Sequence, residues 1–217
     1  MGQAAGLSAS TRLWPVLGIV AWILVFLGLA VHGYPKVNAS AQQLATWTST
    51  TDRTRFVIGV ELEAIGFLVL LLFVAWLCHV LRRLGGAGWL LVLALVSTAA
   101  WVAVGITGNG VWTALLDAGK QGVSLPSLTS IRDIAQAVFD ASNLLLPLAL
   151  ISLGLASIGR EAIPRWLGWA SLVIGILMLI GPLAAPLQIA FIAWVLAVSV
   201  LFLVRPIRTG EDRERAP

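Results

Sequence analysis

The chain has 217 residues, 59% of them hydrophobic and only 11% charged, with a mean hydropathy of +0.95. A soluble domain carries about 25% charged residues, so this composition excludes a soluble globular protein and leaves an all-α, polytopic membrane protein. The net charge of +4 comes without any long run of like charge; this argues against a nucleic-acid partner and leaves the basic residues to set orientation in a lipid bilayer.

The first apolar run, 13–31, follows Arg12 and is longer than most signal-peptide cores, so it reads as a retained first helix. Met1-Gly2 does not start a myristoylation signal, because Gly6 stands where Ser or Thr is needed. A bilayer core takes roughly 20 apolar residues per helix. That rule predicts spans at about 13–32, 57–81, 88–107, 133–157, 166–184 and 187–204. The expected architecture is a six-transmembrane-helix bundle, one domain over 1–208, with a disordered cytoplasmic tail at 209–217. Short connections at 82–87, 158–165 and 182–186 predict antiparallel hairpins, whereas 33–55 and 108–131 are longer and polar. Within the second of these, "VWTALLDAGK" is expected as a short interfacial helix.

Orientation follows from the basic residues. Arg12, Arg82, Arg83, Arg160, Arg165, Arg205, Arg208, Arg213 and Arg215 fall on one side of this topology, nine in all; Lys36, Arg53, Arg55, Lys120 and Arg132 fall on the other, five in all. The excess marks the cytoplasmic side, so both termini are expected there. Trp14, Trp89, Trp166 and Trp169 then lie at the inner boundary and Trp112 near the outer one, as an aromatic belt. Arg outnumbers Lys by 12 to 2 in an Ala- and Trp-rich chain, which points to a bacterium with a GC-rich genome, and the bundle is expected in its inner membrane.

Glu61 and Glu63 sit in the outer third of the second span, on the order of 6–9 Å below its start at 1.5 Å per residue. Two positions apart on a helix they face different ways. Glu63 shares its face with Gly59 and Gly66, and small residues mark close helix approach in membranes, so Glu63 is expected inside the bundle. Glu61 shares a face with Ile58, Ile65 and Leu68 and is expected to reach the headgroups or Arg55. On the fourth span Asp133, Gln136, Asp140, Asn143 and Pro147 form one stripe at spacings of three and four. Pro147 frees the carbonyl of residue 143, which makes an acceptor-rich notch. Glu63, Asp140, Asn143, His32 and Asn109 all fall at a similar depth and form the candidate site, one suited to a proton, a cation or a small polar ligand. The competing expectation pairs one carboxylate with Arg55 or Arg132 and hydrogen-bonds the other between helices.

Several chemistries are excluded by spacing. His32 and His79 lie at opposite ends of the bilayer, which rules out a bis-histidine haem within one chain, and both lysines are in loops, which rules out a retinal Schiff base. No H-E-x-x-H or G-x-x-x-x-G-K-[ST] motif occurs. A single cysteine, Cys78, precludes an intramolecular disulfide and a cysteine-based metal cluster. Neither a catalytic residue, a metal site nor a cofactor is therefore assigned. Gly154, Gly168 and Gly175 read as packing positions. No internal repeat is evident, which argues against the familiar inverted-repeat transporters.

Residues 144–183 contain Ile163, Pro164, Arg165, Trp166, Leu167 and Gly168, with Gly175 further on. This stretch resembles a family of small six-helix bacterial integral membrane proteins of unknown function, marked by a Pro-Arg-x-Leu-Gly turn before helix 5. The resemblance implies a Glu early in the second span and a basic pair after it, matched here by Glu61 or Glu63 and by Arg82-Arg83. It implies no activity. Two functional expectations remain: a carrier or ligand- and ion-binding membrane protein using the outer notch, or a non-catalytic structural or accessory protein whose polar groups only fix helix packing.

Overall fold

The computed structural model describes residues 13–36, 38–142, 144–158 and 164–204, with backbone alone for 181–186. Its regular elements are helices: α1 Trp14–His32, α2 Ala41–Thr50, α3 Arg53–Arg83, α4 Gly88–Lys120, α5 Leu125–Ser142, α6 Leu145–Ser157, α7 Arg165–Met178 and α8 Gly181–Val204. The arginines at 160, 205, 208, 213 and 215, Arg12 and the 209–217 tail lie outside the described residues.

Local chemistry sets most helix ends. Pro15 sits in the first turn of α1, where its missing N–H had no partner to lose. At the other end Gly33 takes a positive φ of 60°, a conformation open to glycine. Ser40 and Gln43 close a reciprocal capping box on α2. Asp52 accepts the Arg55 amide at 2.7 Å and so starts α3.

Five helical stretches are long and apolar enough to cross a membrane: α1, α3, α4, α5 with α6 taken together, and the Leu187–Val204 part of α8. α7, at 14 residues, is shorter. Two expectations about these stretches need correction. "VWTALLDAGK" is not a separate interfacial helix but the end of α4, whose 33 residues run unbroken to Lys120. The fourth stretch is not one straight helix, because α5 ends at Ser142 and α6 begins at Leu145. The physical reason is Pro147. It cannot donate to the carbonyl four residues back and its ring crowds that carbonyl, whereas in the first turn of a new helix it costs little.

Consecutive long helices pack antiparallel around a core that includes Leu70, Phe73, Leu77, Leu81, Leu150, Val195 and Val198. α1 lies closest against α3. A Cβ on Gly28 would come within 2.5 Å of the Gly59 carbonyl oxygen, and one on Gly66 within 2.9 Å of the Ala21 carbonyl oxygen. The α6–α7 hairpin uses the same device at Gly154, Gly168 and Gly175, and Ser171 donates to the Leu150 carbonyl at 2.7 Å. Outward faces are apolar: α3 alone exposes Ile58, Ile65, Leu68 and Leu72. Patches of that size are rare on a soluble monomer.

A second, smaller core of Ala39, Leu44, Leu115 and Leu128 lies beyond one end of the main one, with Trp47 and Trp112 against it. It joins α2, the far end of α4 and the start of α5 into a cap. Arg53 fastens the cap to α3, donating to both Asp117 carboxylate oxygens at 2.6 and 3.0 Å.

Candidate functional site

Where α1 ends under this cap, four polar side chains meet. Glu63 of α3 is buried, as its glycine-bearing face requires, and so are His32 at the last position of α1 and Asn109 in α4. The fourth is Tyr34, in the connection after α1. His32 Nε2 lies 3.2 Å from Glu63 Oε2. The Tyr34 hydroxyl is 2.9 Å from the same oxygen and 2.8 Å from Asn109 Oδ1. Asn109 Nδ2 completes the set at 3.4 Å from Glu63 Oε2.

Aromatic rings wall the cluster. The His32 and Tyr34 rings are 4.4 Å apart in an edge-to-face arrangement, with Phe56 5.2 Å from His32 and Trp112 5.5 Å from Tyr34. Burial pushes the Tyr34 phenol well above its ordinary range, and Glu63 adds to this whenever it is charged. The hydroxyl therefore keeps its hydrogen.

Counting hydrogens constrains the cluster further. Glu63 Oε2, the Tyr34 oxygen and the Asn109 amide make three mutual contacts, and each contact needs one hydrogen. Tyr34 supplies one and the Asn109 amide one. A charged Glu63 leaves the third contact without a hydrogen, whereas a carboxyl hydrogen on Glu63 would close the ring. Exchanging the Asn109 oxygen and nitrogen, which is an assignment from the network, changes the direction of the ring but not the count. The contact with His32 takes one more hydrogen, carried by Nε2 or by the carboxyl according to the tautomer. His32 Nδ1 is buried without a hydrogen-bond partner.

The candidate residues thus divide. His32, Glu63 and Asn109 come together. Asp140 does not join them: it is exposed on α5 and accepts from Gln136 Nε2 at 2.9 Å. Asn143 lies outside the described residues. The expected facing of Glu63 and Asp140 fails because α1 and α4 occupy the two flanks of α3 at this level, which leaves the α5 stripe turned outwards. Neither proposed arginine partner reaches Glu63. Arg55 donates to the Val31 carbonyl at 2.7 Å rather than meeting Glu61, and Arg132 bonds Asp133 and the Ala39 carbonyl. Glu61 is exposed on the apolar outer face, as its position suggested.

Tyr34 is the member that sequence reasoning missed. It is the chain's single tyrosine, two residues beyond His32, and that was the available signal. Beside the cluster lies an open cleft of about 410 Å³ lined by His32, Gly33, Thr50, Asp52, Arg55 and Phe56 among others. Among the described residues no group of three or more His, Cys, Asp or Glu side chains is arranged to hold a metal ion. No protein-family model, curated protein or solved structure matches this chain, so its site is read from its own geometry.

Proposed function

We propose that this chain is a six-span protein of the cell membrane, with both termini cytoplasmic, and that its outer-half cluster binds a proton as part of a carrier or ion- and ligand-binding role. Supporting the topology, α7 is apolar and spans about 21 Å at 1.5 Å per residue, which makes it a short sixth crossing. Trp14, Trp89, Trp166 and Trp169 are all exposed at helix ends assigned to the inner boundary. α4, about 50 Å long, exceeds a hydrocarbon core of about 30 Å and carries the cap into the outer aqueous phase.

One observation carries the functional reading: Glu63, buried within the outer third of a span, meets Tyr34, Asn109 and His32 and no arginine or lysine among the described residues. Intramembrane ionisable groups are costly and mark ion and proton pathways. With a carboxyl hydrogen in place every contact is satisfied; without it, one contact opens. The cluster thus has two states that differ by a single proton. Such a difference can bias how α1, α3 and α4 sit against each other, which is what a carrier requires.

The test is thermal unfolding of purified protein in neutral detergent across a pH series and a panel of alkali chlorides and small amino acids. Wild type is compared with Glu63→Gln, which imitates the protonated carboxyl, and with Asp140→Asn. The expected result is a shift in wild type that Glu63→Gln abolishes and Asp140→Asn leaves intact. If no pH change, ion or solute separates the three proteins, the carrier reading is lost. The second reading then holds: a structural or accessory membrane protein in which the cluster clasps three helices. What favours it is that the four side chains close on one another.

A further inference from the structure

Two opposite charges line the open cleft beside the cluster without closing on each other. The cleft, of about 410 Å³, falls within the roughly 300–1,000 Å³ of small-molecule sites. Its walls come from the last turn of α1, the end of α2 and the first turn of α3, and they include Asp52 and Arg55. Separate backbone anchors hold the two charges in place. Arg55 donates through Nε to the Val31 carbonyl at 2.7 Å, in the last turn of α1, where carbonyls lack a partner within the helix. Its two terminal amino groups meet no acceptor among the described residues. Asp52 Oδ1 accepts the Arg55 amide at 2.7 Å, and its Oδ2 receives no donor among the described residues. The carboxylate and the guanidinium form no ion pair with each other. The neighbouring Arg53 is closed on Asp117 and stands outside the cleft lining. Leu27 of α1 and Ile58 of α3, one turn away from Val31 and Arg55 on the same helix faces, are exposed and apolar.

We propose that this cleft binds a small zwitterion, its anionic oxygens on the Arg55 terminal amino groups and its ammonium on Asp52. A guanidinium presents paired N–H donors in a plane, which match carboxylate or phosphate oxygens. The open carboxylate oxygen accepts an ammonium hydrogen. Opposite charges in one cleft also select against simpler ions. An anion or a cation alone gains one attraction and meets one repulsion, whereas a zwitterion gains both attractions. Because each protein charge is already held by a backbone group, little ordering remains to oppose binding. Two sources supply this chemistry. One is a free solute such as an amino acid. The other is the phosphoethanolamine headgroup of a bilayer lipid, whose chains would run along Leu27 and Ile58. The cleft borders the Glu63 cluster through residues His32 and Phe56, but neither of its charges depends on a proton at Glu63, so the proposal stands apart from the proton reading.

The experiment is thermal unfolding of the full chain in neutral detergent at pH 7, titrated with β-alanine, with glycerophosphoethanolamine and with dihexanoyl-phosphatidylethanolamine. Equimolar ammonium acetate supplies the same two charges on separate ions. Expected is a saturable rise in unfolding temperature with at least one zwitterion and none with ammonium acetate. Asp52→Asn, whose side chain still caps α3, and Arg55→Gln should each weaken the apparent affinity about tenfold or more. Glu61→Gln removes an exposed carboxylate outside the cleft lining and should leave it unchanged. Tighter binding of the lipid than of glycerophosphoethanolamine identifies a headgroup site; otherwise the cleft takes a free solute. The proposal is overturned by an equal rise with ammonium acetate, by a rise that survives both cleft substitutions, by an equal loss in Glu61→Gln, or by no rise with any zwitterion. Should Arg55→Gln fail to fold, Asp52→Asn alone decides between these outcomes.

Discussion

Raising the pH of the folded protein tests the cluster through its least ambiguous member. Because Tyr34 is the chain's single tyrosine, tyrosinate absorbance reports on this one hydroxyl. In an unfolded chain it ionises near the ordinary value of 10.0. In the folded protein burial holds it well above that, with Glu63 adding to the effect when it is charged. A group whose folded value is raised contributes stability that is complete below its unfolded value and is lost as pH climbs above it. Above pH 10 the unfolded chain therefore releases a proton that the folded chain keeps. The loss reaches at most about 1.4 kcal/mol for each further pH unit. Tyr34→Phe should remove the part of the slope that Tyr34 contributes. The same substitution should also lower stability at neutral pH by about 1–3 kcal/mol, since Glu63 and Asn109 each lose a partner while the ring packing on His32 and Trp112 survives. The assay is an alkaline titration in neutral detergent that follows tyrosinate absorbance and helical circular dichroism together, with detergent-induced unfolding at neutral pH for the variant. Reversible tyrosinate formation near pH 10 with the helices intact would show the hydroxyl in water and refute the cluster.

The remaining predictions concern packing and topology. Gly28→Ala should cost about 1–3 kcal/mol, because its new methyl group would meet α3 backbone at the Gly59 carbonyl and the Glu63 amide. Gly110→Ala, at a helical position with open space around it, should leave stability unchanged or raise it by about 1 kcal/mol; equal losses at both sites in unfolding titrations would contradict the close α1–α3 approach. A membrane-impermeant maleimide should label Lys120→Cys from outside intact cells and Arg83→Cys only after the membrane is opened. Both are made in a Cys78→Ala background, although Cys78 itself is buried. Labelling in the reverse order would invert the proposed orientation and put the cluster on the cytoplasmic side.

Much of this molecule is dictated locally. The apolar runs define the long helices, Asp52 and Ser40 start α3 and α2, Pro147 places the break between α5 and α6, and the Gly59–Glu63–Gly66 face fixes which carboxylate is buried. Helical periodicity suffices for these because they depend on residues within a turn or two of each other. Periodicity assigns a residue to a face, but it does not say which helix lies against that face. Asp140 and Glu63 each lie on a clear stripe at matching depth, and only the packing of α1 and α4 on α3 decides that the two stripes do not meet. An exposed carboxylate near the end of an apolar stretch, such as Asp140, can moreover reach water, so burial does not force it inwards. Tyr34 lies on a connection with no period at all, and its direction follows from where α1 ends and the cap begins. The sequence by itself therefore determined the long apolar helical stretches and the buried acid, but not the short helix α2 or the full length of α4. Tertiary structure chose that acid's partners, because close packing between elements depends on groups far apart along the chain.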